Sequence, residues 1–260
     1  MESATRTPFQ GKRVSLFVTC MVDMLSPQTG MSVVAVLEHL GLTVDFPVGQ
    51  TCCGQPAFNA GYRNEARQVA RHFIETFREA EVIVTPSGSC AAMVRHEYPR
   101  LFAGEPALLA EAERLAGITW EFSEFIVDGL GITDLPARLP QPQTAVCHHA
   151  CHGLRQLNLK EAAETLLDST GNLTRQSWDN SEICCGFGGL FAVKMADVSG
   201  AMLHKKLDQI AASGADCVVT GDISCLMHMN GGLEKQGKRP LVRHIADVLA
   251  EGIHHESSGE

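Results

Sequence analysis

Two pairs of adjacent cysteines, each followed by glycine, constrain this chain more than any other feature of its sequence. The first is Cys52-Cys53-Gly54 and the second is Cys184-Cys185-Gly186. Thiolates are soft ligands that suit iron–sulfur clusters and zinc, and glycine lets a loop turn closely around a bulky inorganic group. We therefore interpret the two motifs as metal-binding segments rather than as core packing.

The pairs belong to a longer internal repeat of four cysteines. The first set is Cys20, Cys52, Cys53 and Cys90, and the second set is Cys151, Cys184, Cys185 and Cys225. The first members of the sets are 131 residues apart, the paired cysteines 132 and the last members 135. Four matched positions in the same order indicate a duplicated module.

Each half of the chain alternates β-rich and amphipathic segments. In the first half we predict strands from Lys12 towards Cys20, at Leu42–Phe46 and at Glu81–Thr85, with helices at Gly30–Leu40 and Asn64–Ala80. This alternation predicts an α/β fold of two Rossmann-like modules with mostly parallel sheets. The cysteine-bearing loops then lie at the carboxyl ends of strands, where open α/β sheets form their ligand crevices.

The second half repeats this pattern after a segment that contains three prolines. We interpret residues 136–142 as a linker between a first module at 1–135 and a second at 143–260. A strand is predicted at Cys217–Thr220 and a last helix at Val242–Ala250, followed by a polar tail that includes His254 and His255.

Composition and charge exclude some function classes. The 260 residues are 45% hydrophobic and 20% charged, and the formal net charge of −9 argues against a general affinity for nucleic acid or anionic membranes. We find no apolar leader segment and no apolar run of roughly 18–20 residues, so we expect a cytoplasmic protein without a transmembrane segment. Thiols stay reduced there, and ten cysteines then favour metal or redox chemistry over buried free thiols or regulatory disulfides.

Four thiolates can complete either a cubane cluster or a tetrahedral zinc site. Adjacent cysteines are awkward ligands for one zinc ion because successive side chains point apart, whereas a cluster offers irons at different corners. Outside the two sets, we interpret Cys217 as a core thiol and leave Cys147 open between a structural thiol and a spare ligand or resolving thiol. His148 and His149 are interpreted as part of a polar loop, and His152 as such a residue or as a proton-handling neighbour of the centre.

Seven segments carry a resemblance to a known family. They are Cys20-Met-Val-Asp, Gln50-Thr-Cys-Cys-Gly-Gln-Pro-Ala, Asn59-Ala-Gly-Tyr, Ala150-Cys-His-Gly, Cys184-Cys-Gly-Phe-Gly-Gly, Phe191-Ala-Val-Lys and Ser224-Cys-Leu-Met-His. With them the chain resembles the lactate-utilisation protein A family, which is related to the CCG-domain proteins of heterodisulfide reductase and to the iron–sulfur subunit of glycolate oxidase. The segments span almost the whole chain.

The resemblance implies that the eight repeated cysteines bind iron–sulfur clusters, most simply of the 4Fe–4S type. The broader CCG pattern has a fifth cysteine, and this chain has Met93 there in the first half and His228 in the second. His228 is therefore an additional candidate ligand, because a neutral imidazole can bind iron.

The resemblance also implies a part in oxidising L-lactate to pyruvate with two partner proteins, an iron–sulfur ferredoxin-like subunit and a third subunit. Since we find no dinucleotide-binding glycine motif, we expect electron transfer rather than hydride transfer by this chain. Two alternatives stay open. One is a thiol/disulfide reductase of the heterodisulfide reductase type, and the other combines a structural zinc module with one cluster module.

Overall fold

The computed structural model describes residues 9, 11, 13–238 and 241–258, and the described residues form eight strands. The first half contributes β1 (Arg13–Leu16), β2 (Thr43–Asp45), β3 (Ile83–Thr85) and β4 (Thr119–Glu121). The second half contributes β5 (Arg138–His148), β6 (Gly171–Arg175), β7 (Cys217–Thr220) and β8 (Leu241–His244).

Helices connect these strands. In the first half they are α1 (Cys20–Leu25), α2 (Pro27–His39), α3 (Gln55–Asn59), α4 (Arg63–Thr76), α5 (Gly88–Ala92), α6 (Tyr98–Leu101), α7 (Pro106–Ile118) and α8 (Phe122–Glu124). In the second half they are α9 (Lys160–Ser169), α10 (Leu190–Lys194), α11 (Ala196–Ser213), α12 (Ile223–Gln236) and α13 (Ile245–Ser258). π-Helical turns occupy Met93–Glu97, Phe125–Gly129 and Gly153–Leu157.

Each half forms one four-stranded sheet in which every pair of neighbouring strands is parallel. The strand order is β2-β1-β3-β4 in the first half and β6-β5-β7-β8 in the second. Parallel neighbours require crossover connections, which the helices supply. The identical orders confirm the predicted α/β class and the duplication of a Rossmann-like module.

The last helix begins later in the structure than the sequence predicts. Leu241–His244 form β8 and pair with β7, and α13 begins only at Ile245. Four residues are too few to show a strand period, so the helical pattern of the residues that follow dominated the prediction.

The predicted polar tail is also different, because α13 continues to Ser258 and includes His254 and His255. Leu249 and Ile253 are buried on the inner face of this helix, and their packing extends it beyond the point that local polarity indicates. Residues 259–260 lie outside the described residues, as do residues 1–8 and Lys12.

The three-proline segment is mostly strand. β5 begins at Arg138, and its pairing with β6 shifts register between Arg138 and Gln143. Pro140 and Pro142 fall inside this irregular stretch, where a residue without an N–H group is tolerated. Residues 138–142 therefore belong to the second sheet, and the module boundaries at 135 and 143 stay a prediction.

The two halves are interlocked through their last helices. α13 of the second half packs against α2 of the first, and the hydroxyl of Thr29 donates a hydrogen bond of 3.0 Å to the carboxylate of Asp247. In the matching arrangement, α8 and its π-helical continuation pack against α9. One hydrophobic core combines residues from both sheets, and each sheet has a further core on its other face.

Within the described part of the chain, no helix combines the length and the apolar character needed to cross a membrane.

Candidate metal centre

The first cysteine set comes from three loops that follow neighbouring strands. Cys20 begins α1 after β1, Cys52 and Cys53 precede α3 after β2, and Cys90 lies in the first turn of α5 after β3. The side chain of Gln50 ties the CCG loop to the sheet, because its amide nitrogen donates to the carbonyl of Leu16 at 3.0 Å. The prediction that these cysteines lie beyond the carboxyl ends of parallel strands is confirmed.

The second set has the same positions on the second sheet. Cys151 follows β5, Cys184 and Cys185 lie in the loop between β6 and α10, and Cys225 is in the first turn of α12 after β7. In both sets the first cysteine and the first member of the pair are half-exposed, whereas the second member of the pair and the last cysteine are buried. All eight thiols are free.

The glycine of each CCG motif shapes its loop in the same way. Gly54 has φ of 81° and Gly186 has φ of 94°, a backbone region that favours glycine. The backbone N–H of Gly54 donates to Sγ of Cys52 at 3.4 Å, and that of Gly186 donates to Sγ of Cys184 at 3.4 Å. Both loops therefore direct a backbone dipole at the first sulfur of the pair.

One sulfur in each set is favoured as a thiolate by the hydrogen bonds around it. Hydrogen bonds from the thiols of Cys20 and Cys53 lower the pKa of Cys52 to about 3. Hydrogen bonds from Cys151 and Cys185 likewise lower the pKa of Cys184 to about 2. Thiolates are the form that binds metals, so each set holds one sulfur already poised for coordination.

The two sets face each other across a single cavity. Its volume is about 140 Å³, and all eight repeated cysteines contribute to its wall. Polar side chains from both halves complete the lining, among them Gln55, Asn59, His152 and Asp222. Duplication has therefore brought both cysteine sets to the wall of one cavity.

Asp222 joins the two cysteine-bearing helices at the centre of this site. One carboxylate oxygen caps α12 by accepting from the N–H and the hydroxyl of Ser224. The other oxygen accepts from the hydroxyl of Ser87 at 3.2 Å and from the N–H of Ser89 at 3.1 Å, next to Cys90. Ser87 is the residue that matches Asp222 in the repeat, and it caps α5. The two N-cap residues thus contact each other across the interface of the halves.

His148, predicted to lie in a polar loop, is instead a buried neighbour of the second set. A ring nitrogen of His148 and the sulfurs of Cys185 and Cys225 all lie within 4.8 Å of one another. Neither ring nitrogen meets hydrogen-bond geometry with the described residues, although the backbone carbonyl of Ser181 lies near the ring. Burial and the nearby charge of Lys206 lower the pKa of His148 to about 3, so the ring is neutral. Its place at the end of β5, three residues before Cys151, is the signal that could have identified it.

The other predicted candidates lie around the two sets. His228 is not part of the donor group of His148, Cys185 and Cys225, and its ring lies against that of Phe187 with 5.6 Å between centroids. His152 contacts the first cysteine of its set, with 3.7 Å between Nδ1 and Sγ of Cys151. Met93 is buried in the core of the first half.

The two cysteines outside the sets are buried in the shared core. Cys217 lies in β7 and packs there as predicted. Cys147 packs in the same core, and burial raises its pKa to about 12. Because side chains alternate along a strand, Cys147 points to the opposite face of the sheet from His148. It is therefore directed away from Cys185 and Cys225.

Comparisons with known proteins agree with this duplication. The sequence pattern of a family described as cysteine-rich domain, CCG, matches the chain twice, at residues 14–95 and 145–230. Lactate utilization protein A of Bacillus cytotoxicus is 46% identical over 237 residues, which cover 91% of this chain and 98% of that protein. The protein of the same name from an Exiguobacterium species is 48% identical over 242 residues, or 92% and 98% of the two chains.

Among solved structures, a hypothetical protein from Helicobacter pylori is similar with a TM-score of 0.59 and 9% sequence identity. The likeness covers 97% of this chain and 51% of that one. At this identity it concerns the fold alone.

Proposed function

The chain belongs to the family of lactate utilization protein A and carries the CCG cysteine-rich domain twice, and from this premise we propose that it is an iron–sulfur redox subunit in the oxidation of L-lactate to pyruvate. Its place in a multi-protein system, beside a ferredoxin-like iron–sulfur subunit and a third subunit, is part of the proposal. The observation that carries it is the single cavity lined by eight free cysteines in two matched sets.

The residues of the cavity fit iron–sulfur clusters. Each set offers four thiols from three loops, the number that ligates a 4Fe–4S cluster. Sulfur ligands are soft and suit iron and zinc more than magnesium or calcium. When bound, such clusters accept and release single electrons, and oxidation of lactate to pyruvate releases two electrons and two protons.

The surrounding residues hold the ligands in place and exclude water from part of each set. The N–H groups of Gly54 and Gly186 reduce the negative charge on the sulfurs of Cys52 and Cys184. Cys53 and Cys185 are 2% and 1% exposed, so the apolar cores pack directly around one side of each set. Asp222 fixes the distance between α5 and α12, and with it the separation of Cys90 from Cys225.

The experiment is anaerobic reconstitution of the whole chain with iron and sulfide, followed by metal analysis and electron paramagnetic resonance. We expect iron and sulfide in comparable amounts and a visible absorbance that dithionite bleaches. With the partner proteins present, lactate should bleach the same absorbance. Protein that stays colourless and free of iron, or a cluster that lactate and the partners never reduce, would contradict the proposal.

A second candidate assigns zinc to the second set and a cluster to the first. The proximity of one imidazole to Cys185 and Cys225 favours it, because two thiolates and a histidine belong to common zinc-binding sets. Metal analysis of Cys53→Ala and Cys185→Ala separates the candidates. Loss of iron from the first variant and of zinc from the second would support the zinc assignment, whereas loss of iron from both would exclude it.

A further inference from the structure

His148 is a buried polar side chain without a well-formed hydrogen bond. It is 1% exposed, and neither ring nitrogen meets hydrogen-bond geometry with the described residues, although the backbone carbonyl of Ser181 lies near enough to one of them to affect its pKa. A neutral imidazole has one N–H donor and one lone pair, and leaving either unsatisfied in the interior destabilises the fold. A ligand bound beside the ring would satisfy its free lone pair.

The position of the ring defines what that ligand is. One ring nitrogen and the sulfurs of Cys185 and Cys225 form a group in which no two donor atoms are more than 4.8 Å apart, and all three residues are buried. Two thiols and an imidazole with a free lone pair are donors for a soft or borderline metal such as iron or zinc.

The matching position in the first half shows that the fold does not require histidine there. Leu16 pairs with Val84 in the first sheet and Cys147 pairs with Val219 in the second, so the next residues, Phe17 and His148, correspond. Phe17 is fully buried in the same core as Cys53 and Cys90. An aromatic hydrocarbon ring therefore fills this site beside the first set, and an imidazole fills it beside the second.

The helix residue next to this aromatic or imidazole ring also differs between the halves. A Cβ at Gly54 would meet Val69 of α4 and one at Gly186 would meet Met202 of α11, and this register aligns Phe73 with Lys206. Phe73 packs edge-to-face on Phe17 with 4.9 Å between ring centroids.

Lys206 is a buried cation in this matching place. It donates to the carbonyl of Asn180 at 2.6 Å and lies over the ring of Trp178, with 4.2 Å from Nζ to the centroid. In this matching place the second half therefore has a cation where the first half has an aromatic ring.

We propose that His148 is a nitrogen ligand of the metal centre at the second cysteine set, so that this centre has mixed thiolate and imidazole ligation while the first has thiolates alone. The inference rests on the proposed function in that it changes the ligand set of one of its two centres. A neutral imidazole that takes the place of a thiolate on iron brings less negative charge, and this exchange raises the reduction potential. The second centre is then the more easily reduced of the two.

The test uses Cys53→Ser protein, in which the first set is disabled and the second is intact. After anaerobic reconstitution and reduction, pulsed electron paramagnetic resonance should detect the strong hyperfine coupling of a metal-bound ¹⁴N. Growth with ¹⁵N-histidine should convert that signal to a ¹⁵N pattern, which identifies histidine without any further substitution. Adding His148→Phe should abolish the coupling, whereas adding His152→Phe or His228→Phe should leave it.

The outcomes separate this inference from the proposed function. Bound iron and sulfide with no histidine coupling, or with a coupling that His148→Phe leaves unchanged, overturns the inference and keeps the function. If the second set binds no iron, the cluster proposed for that set fails, and Co²⁺ then decides the ligation: His148→Phe should weaken Co²⁺ binding about 10- to 100-fold and shift its visible bands. Unchanged Co²⁺ binding, or a set that binds no metal, overturns it. His148→Gln gives the same readouts if the phenylalanine variant does not fold.

Discussion

The two halves of this protein share a scaffold but differ in the layer beneath their cysteines. Strand order, cysteine burial and the glycine N–H to sulfur contact are the same in both. Beneath the first set lie Phe17 and Phe73, and beneath the second lie His148 and Lys206. The duplication therefore kept the elements that present ligands and changed the side chains that set the environment of the bound group.

The largest effect that tests this comparison is the loss of one set at a time. Cys53→Ala and Cys185→Ala should each retain about half of the iron of the parent protein, because each removes a ligand from one set only. Metal analysis after anaerobic reconstitution measures this. Cys217→Ala, which removes a buried thiol outside both sets, should keep all of the iron. Complete loss of iron from either single variant would show that the two sets hold one shared group.

The next effect concerns Asp222, which contacts both halves. Asp222→Ala removes the cap of α12 and the bonds to Ser87 and Ser89, and we expect it to lower the free energy of unfolding by about 2–3 kcal/mol. It should also weaken iron retention in both sets. Ser87→Ala, which removes a single hydroxyl of the same contact, should cost about 1 kcal/mol. An iron loss confined to the second set after Asp222→Ala would mean that the halves hold their ligands independently.

A smaller difference is expected between the two CCG glycines. Alanine at Gly54 suffers a strained positive φ, which costs about 1–2 kcal/mol, and meets Val69 at 3.3 Å. At Gly186 the new Cβ would lie 2.8 Å from Cβ of Met202 and from the carbonyl oxygen of Ser199, which adds about 1–3 kcal/mol. Denaturant unfolding of the reduced, metal-free proteins should therefore rank Gly186→Ala below Gly54→Ala. Equal stabilities would show that α11 shifts to accommodate the new Cβ, so that the closer contact at Gly186 adds no cost.

A dependence of stability on pH compares the last strands of the two sheets. Burial raises the pKa of Glu121, the last residue of β4, to about 8 from an ordinary value of 4.5. The folded chain keeps this proton while the unfolded chain releases it, so stability should fall from pH 4.5 to 8, by up to about 1.4 kcal/mol per unit.

His244, which matches Glu121 at the end of the last strand of the second sheet, has the opposite effect on the pH dependence of stability. Burial lowers the pKa of His244, so this residue destabilises the fold as the pH falls below about 6.5. Unfolding measured from pH 5 to 8 should show that Glu121→Gln removes only the loss towards high pH. Parallel curves for the parent and the variant would refute a protonated Glu121.

Much of the fold could be predicted from the sequence, because the spacing of the cysteines reveals the repeat and the larger helices are amphipathic. The helices α2 and α4 and the strand Cys217–Thr220 agree with their predictions to within a few residues. β4, β6 and β8 were missed because strands of three to five residues carry almost no period of their own. Their existence depends on pairing with neighbours that lie far away in the chain.

The spacing of eight cysteines and two glycines by itself determined that two matched sets of thiols would follow the strands of two sheets. Only the tertiary structure decided that both sets line one cavity, that Asp222 joins them, and that a ring nitrogen of His148 lies beside the sulfurs of Cys185 and Cys225. The reason is physical. Loop ligands are positioned by the local chain, but the direction of a strand-end side chain follows from the pleat, and its neighbours follow from how the two sheets pack.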